Sequence, residues 1–185
     1  MRRLRGMTIL SLFVSFIFAF LVFGCAKPPK QELETAEKAL SDAKAKEAHI
    51  YAEETYKKAE EALSKAQSLV NEKKYKEAKK LAQEAEKLAR QAETEIESGK
   101  ARMKEETEKL LSDIRTSIEE TKKMIPEVVK KKIISREEAR TLLSKWESEL
   151  SSAKENFDKG NLKDARDKAK ALMDEINEKV KEMKK

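Results

Sequence analysis

The chain has 185 residues, of which 41% are charged, 39% are hydrophobic and 5% are aromatic, with only four glycines and three prolines. This composition is typical of long helices and argues against a mixed globular domain with a deep core. The formal net charge of +6 does not indicate nucleic-acid binding, because acidic and basic residues alternate along most of the chain instead of clustering by sign. We therefore expect no nucleic-acid partner.

Residues 1–24 have the organisation of an export signal. Three arginines within the first five residues precede an uncharged apolar run from Met7 to Phe23. Positive residues before such a run stay in the cytoplasm, so the remainder of the chain is expected outside it. The run is nearly as long as a membrane span of about 20 residues, and its length alone does not decide whether the leader is cleaved.

Cys25, the only cysteine, ends this leader. The stretch VFGC at residues 22–25 resembles a bacterial lipobox, with an aliphatic residue three positions before the cysteine and a small residue directly before it. The resemblance implies that a signal peptidase recognises Val22, Phe23 and Gly24, although Phe23 is bulkier than the usual residue there. It also implies that Cys25 becomes the acylated N-terminus, which two or three acyl chains hold durably on a membrane. An uncleaved membrane anchor is the alternative.

The lipobox implies a lipoprotein of the bacterial cell envelope that faces the periplasm and contacts a membrane through its N-terminal lipid. Ala26 stands where an aspartate tends to retain enteric lipoproteins at the inner membrane, which favours the outer membrane. Residues 25–30 are interpreted as the acylated cysteine and a stiff spacer, because consecutive prolines favour an extended polyproline II conformation.

From residue 31 onward, apolar residues recur at helical spacing and predict an all-α fold of two long, coiled-coil-like antiparallel hairpins. The first hairpin is expected over residues 31–125. Its first arm is one helix from 31 to 71, about 60 Å long, and its second arm stops before Pro126. A connector over 126–134 leads to a second, shorter hairpin over 135–185.

The two hairpins repeat one another at a shift of 87 residues, which aligns Ala66 with Ala153. Ser135 and Glu138 form a capping-box pattern that predicts the start of a helix. Gly99 lies inside the second arm of the first hairpin and is expected either to kink that helix or to end one segment of it. The unit is therefore a helical hairpin used twice.

The stretch YAEETYKKAEEALSKAQSLVNEKKYKEAKKLAQEAEKLARQAE, within residues 33–98, resembles a domain-of-unknown-function family of Gram-negative envelope lipoproteins. Members combine an alanine-rich helix, a turn ending in Gly-Asp-Tyr or a similar sequence, and a second helix of A-x-x-x-A type. Here Lys73, Lys74 and Tyr75 replace the glycine form of the turn. The family has no established activity, so the resemblance implies location and shape rather than a reaction.

No set of residues has the pattern of a catalytic or metal site. His49, the only histidine, lies within a long helical segment, and neither metal-ligand spacing nor a phosphate-binding glycine loop occurs. We expect no cofactor and no metal, and we expect that the protein is not an enzyme. Trp146 has the spacing of a core residue.

The leading hypothesis is a membrane-anchored spacer or assembly scaffold. The alternative is a periplasmic adaptor that binds an envelope protein, or a second copy of itself, through an apolar helical groove. Lys185 resembles the terminal lysine of lipoproteins that are joined to peptidoglycan, which adds a contact with that polymer as a further hypothesis. The candidate partner surface consists of Leu110, Leu111, Ile114, Ile118, Met124 and Ile125.

Overall fold

The computed structural model describes residues 27–184, and every regular element within that range is a helix. The prediction of an all-α fold is therefore confirmed. No helix within the described range combines the length and apolarity needed to cross a membrane. The helices are α1 (Lys30–Ala45), α2 (Ala48–Tyr51), α3 (Glu53–Asn71), α4 (Tyr75–Lys130), α5 (Arg136–Asp158) and α6 (Leu162–Met183).

The segment 31–71 folds back on itself instead of forming one straight arm. α1 ends at Ala45, Glu47 adopts a left-handed conformation with a φ of 68°, and the single turn of α2 precedes α3. Gln67 Nε2 of α3 donates a hydrogen bond to Glu37 Oε1 of α1 at 2.9 Å. In a straight helix those residues would be about 45 Å apart. The prediction of a continuous first arm is therefore wrong.

The first hairpin therefore becomes a three-helix bundle, because α1 packs beside α3 and α4. Glu32 and Lys46, at the two ends of α1, pair with Lys79 and Glu93 of α4 at 2.6 Å each, so α1 and α4 run parallel. α3 lies antiparallel to both, and its small side chains let the helices approach closely. The buried alanines of this first bundle are Ala36, Ala39, Ala43, Ala48, Ala52, Ala59, Ala62, Ala66, Ala78, Ala82, Ala85, Ala89 and Ala92.

A second three-helix bundle consists of the C-terminal part of α4 together with α5 and α6. Lys122 of α4 pairs with Glu147 of α5 at 2.8 Å, and Lys145 of α5 pairs with Glu175 of α6 at 2.7 Å. Trp146 is completely buried, which confirms its predicted place in the core. Larger side chains than in the first bundle surround it, namely Ile114, Ile118, Leu172 and Ile176.

Both bundles share α4, which is continuous over 56 residues and therefore about 84 Å long. Gly99 does not interrupt this helix. Pro126 lies inside this helix and does not end it. The proline is exposed and removes a single amide donor, while Val128, two residues later, remains packed in the interior. The predicted connector over 126–134 is correspondingly reduced to residues 131–135. We call the elongated body of residues 30–183 the rod.

The predicted internal repeat is present in the helical hairpins. α3 and α5 end 87 residues apart, and α4 and α6 begin at the same interval. The two turns use a left-handed residue at the equivalent position, Lys73 with a φ of 58° and Gly160 with a φ of 81°. The predicted capping box is also confirmed, since Ser135 and Glu138 exchange both of its hydrogen bonds.

The two ends of the rod are made by different parts of the chain. The ion pair between Glu32 and Lys79 places the start of α1 beside the start of α4. At the opposite end, Met183 of α6 and Ile134, just before α5, line one cavity. The chain therefore joins the rod at one end and completes its last helix at the other.

The continuity of α4 can be tested with fluorophores at Lys80→Cys and Lys123→Cys in a chain that begins at residue 26. Energy transfer should give a single narrow distance of about 65 Å, the length of an uninterrupted helix between those positions. As a control, Gln67→Cys with Lys80→Cys lies across the first hairpin and should give a short distance. A shorter mean distance, or two populations, for the first pair would show that α4 bends or breaks near Gly99.

Candidate functional site

The residues predicted to carry the membrane anchor, 22–25, lie outside the described range, as does Lys185. Lipid attachment and the peptidoglycan contact therefore stay predictions. The structure does show how the chain joins the rod, because Lys27 and Pro28 are exposed whereas Pro29 is buried next to the first turn of α1. The predicted spacer thus ends at Pro28, and Lys30 already belongs to α1.

The predicted partner surface is largely part of the second core. Ile114 and Ile118 are only 0% and 2% exposed and belong to the cluster around Trp146. This segment has no counterpart in the repeated hairpin because it supplies the third helix of the second bundle. Ile114 and Ile118 are therefore not available to a partner, and the adaptor hypothesis stays a prediction. The half-buried members of the set are Leu110, Leu111, Met124 and Ile125.

The two bundles meet where the turn between α1 and α3 faces the turn between α5 and α6. An open cavity of about 380 Å³ lies between these turns and is lined by Ile50, Tyr51 and Leu162 among others. A second cavity of about 330 Å³ shares Ile50 and Tyr51 and extends from Gly99 to Arg166 of α6. We call this region the junction.

Gly99 allows the closest backbone approach described at the junction. A Cβ atom at Gly99 would overlap the carbonyl oxygen of Tyr51, so no larger residue fits without moving α2. The ammonium group of Lys100 lies 5.1 Å from the centre of the Tyr51 ring, a cation–π distance. The glycine therefore lets α2 pack against α4, and it does not end α4.

Two carboxylates of the first bundle, near the junction, have pKa values below the ordinary range of a glutamate. A hydrogen bond from Lys58 lowers the pKa of Glu54, and hydrogen bonds from Thr55 and Gln91 lower the pKa of Glu95. Such carboxylates stay ionised near neutral pH, whereas a general acid needs a raised pKa. Within residues 27–184 no group of three His, Cys, Asp or Glu side chains is placed to hold a metal ion.

His49 lies on α2 at the edge of the first core. Its ring centre is 6.0 Å from that of Tyr56, and its Nδ1 is buried without a hydrogen-bond partner in the described structure. A base that activates a nucleophile must itself be oriented by a third group. The described contact of His49 is aromatic packing against Tyr56.

Glu175 accepts a hydrogen bond from Trp146, the fully buried aromatic residue of the second core. Its carboxylate accepts hydrogen bonds from Lys145 Nζ at 2.7 Å and from Trp146 Nε1 at 3.0 Å. The bond from Lys145, followed by that from Trp146, lowers the pKa of Glu175. The indole nitrogen is thereby satisfied at the border of an otherwise apolar core.

The sequence patterns did not predict the turn between α1 and α3 or the hydrogen bond between Glu175 and Trp146. The turn at residues 46–52 contains neither glycine nor proline, the residues that usually mark the end of a helix. Gly99 was the available signal, because a glycine within an alanine-rich helix indicates close approach as well as flexibility. The partnership of Glu175 with Trp146 has no signal of its own among the many exposed glutamates.

Gly99→Ala should reduce the free energy of unfolding by about 1–3 kcal/mol, because the new methyl group overlaps the carbonyl of Tyr51. The helix preference of alanine alone would act in the opposite direction by up to about 1 kcal/mol. Urea unfolding of both proteins measures the difference. Ser98→Ala, at the exposed neighbouring position, should change stability by less than about 0.5 kcal/mol. A Gly99→Ala protein more stable than the wild type would contradict the close approach.

Glu175→Gln should make the stability of the protein less sensitive to acid. The native pKa of Glu175 lies below its unfolded value, so its contribution is complete above the unfolded pKa and disappears as the pH falls through the native one. The variant should be less stable than the wild type by about 1 kcal/mol at pH 7, and the difference should narrow as the pH falls below the unfolded pKa of a glutamate. Urea unfolding over a series of pH values from neutral to acid, with exposed Glu178→Gln as the control, measures this. A difference that does not narrow in acid would argue against the ionised pairing.

Residues 31–107 match the model of DUF4398, a domain of unknown function. The match covers α1, α2, α3 and the part of α4 that ends at Thr107, which together make up the first bundle. The resemblance predicted for residues 33–98 is thus supported as a similarity to a domain of unknown function. Searches of the curated proteins and of the solved structures give no match.

Proposed function

We propose that this protein is a non-enzymatic lipoprotein of the bacterial cell envelope, held on a membrane by acylated Cys25, whose helical rod acts as a spacer or assembly scaffold in the periplasm. The observation that supports this proposal best is that the chain joins the rod at one of its ends. The described chain joins the rod at one end, directly after the lipobox-like stretch, and the rod extends about 84 Å from there along α4.

Because α4 belongs to both bundles, the rod is suited to hold its two ends at a fixed distance. Two bundles joined by a flexible linker would move independently, whereas here one helix runs through both hydrophobic cores. The turns of both bundles also approach each other at the junction. In a rigid body of this kind, the position of the membrane anchor determines the position of the far end.

The outer surface fits a structural role in an aqueous compartment. Most of its ion pairs are between exposed side chains three or four residues apart on one helix, as for Lys58 with Glu54 and Lys159 with Glu155. Such pairs contribute little energy but keep the exposed faces polar. The adaptor hypothesis has less support, since the apolar segment on which it depended packs into the second core.

The proposed location follows from the leader and its cysteine. Export would place residues 26–185 in the periplasm, and Ala26 after the acylated cysteine favours the outer membrane over the inner one. The partner at the far end would be an envelope protein, a second copy of the chain or peptidoglycan near Lys185. The rod imposes only the distance at which that contact is made.

Metabolic labelling of cells with an alkyne fatty acid should attach the label to the wild-type protein and not to Cys25→Ser, because this position holds the only thiol. The mature protein should also lack residues 1–24 by mass. Ser15→Ala, in the same leader, is the matched control and should be labelled like the wild type. Equal labelling of Cys25→Ser, or a wild-type protein that retains its leader and a free thiol, would refute the lipoprotein assignment.

A further inference from the structure

The end of the rod at which the chain enters is basic. Residues 27–32 and 71–80 lie together there and contain seven lysines and three glutamates, a net charge of +4. The whole chain after the leader, with 38 basic and 35 acidic residues, has a net charge of only +3. The positive charge of the exported part is therefore concentrated here. We call this end the basal face.

The tether leaves the basal face little freedom to move away from a membrane. Pro29 is buried, and its carbonyl accepts a hydrogen bond from Leu33 N at 3.1 Å, so the chain is fixed to the rod from this residue onward. The stretch from Cys25 to Pro29 reaches at most about 14 Å even when fully extended. An acyl group on Cys25 thus holds the basal face close to the headgroups.

The turn between α3 and α4 is the outermost part of this end. The ion pair of Glu32 with Lys79 aligns the parallel helices α1 and α4, which places Pro29 at the level of Lys76. The turn at residues 72–74 lies beyond that level by about one helical turn, roughly 5 Å. Lys73 and Lys74 of this turn therefore lie farther along the rod axis than Pro29, where the tether joins the rod.

Most of the basal lysines have no acidic partner. Lys74 pairs with Glu72 at 2.7 Å, and Lys79 is engaged by α1. Within the described range, no carboxylate lies within ion-pair distance of the five remaining lysines, all of which are exposed. Those five are Lys27, Lys30, Lys73, Lys76 and Lys80.

We propose that the basal face binds anionic phospholipid headgroups of the membrane that holds Cys25, so that the rod stands on the lipid surface end-on. The inference rests on the proposed acylation, which supplies the proximity. Clustered lysines beside a lipid anchor are attracted to anionic lipid, and each one adds to membrane binding. The short segment between Cys25 and Pro29 then holds the rod against the bilayer.

The test uses the acylated protein purified from cells and reconstituted into vesicles of phosphatidylcholine alone or with added phosphatidylglycerol. A membrane-impermeant acetylating reagent modifies exposed lysines, and mass spectrometry gives the rate for each one. On anionic vesicles Lys73 and Lys76 should react roughly fivefold more slowly, relative to Lys131 and Lys132 at the far turn of the same molecule. About 1 M salt should remove the difference, because headgroup attraction is then screened.

A matched pair of variants separates the basal face from general charge effects. Lys73→Glu with Lys76→Glu should abolish the protection of Lys27, Lys30 and Lys80, whereas the same charge change at Lys131 and Lys132 should leave it intact. Equal rates on the two kinds of vesicle, or slowing of the far lysines to the same extent, would overturn this inference while leaving the acylation standing. A purified chain whose mass shows an unmodified Cys25 would overturn both.

Discussion

One helix that belongs to two hydrophobic cores is the constraint on which the rest of the structure depends. α4 presents alanines to α1 and α3 along its first half and isoleucines to α5 and α6 along its second. Any bend in α4 would open one of the two cores. The continuity of its 56 residues therefore follows from packing on both sides, which also explains why Pro126 is accommodated rather than terminating the helix.

At the junction, the single turn of α2 lies directly against the helix that both bundles share. Gly99 lets the carbonyl of Tyr51 come against α4, and the turn of the second hairpin closes over the same region at Leu162. The close approach itself is between α2 and α4 of the first bundle, and the turn of the second hairpin lines the open cavity beside it. The match to a domain of unknown function ends at Thr107, just beyond this contact.

That most segments are helical was predictable, because the spacing of apolar residues along the sequence indicates a helix. The 3.6-residue spacing predicted the helical hairpins, and the capping box at Ser135 marked the start of α5. The reversal near Glu47 was not predictable, because a left-handed glutamate has no sequence signature and the apolar stripe continues through it. Whether Ile114 is exposed also depended on a third helix that pattern alone does not assign. The anchor prediction comes from residues 22–25 and is independent of the fold.

The difference in side-chain size between the two bundles has a thermodynamic consequence. The first core is built mainly of alanines, whereas the second contains Trp146, Ile114 and Leu172. Exposure of apolar area raises the heat capacity, so the second half has the larger heat-capacity increment of unfolding per residue. Its stability curve is therefore the more strongly curved of the two, and cooling weakens it more than the alanine-lined half. One continuous helix thus connects two halves that respond differently to cold.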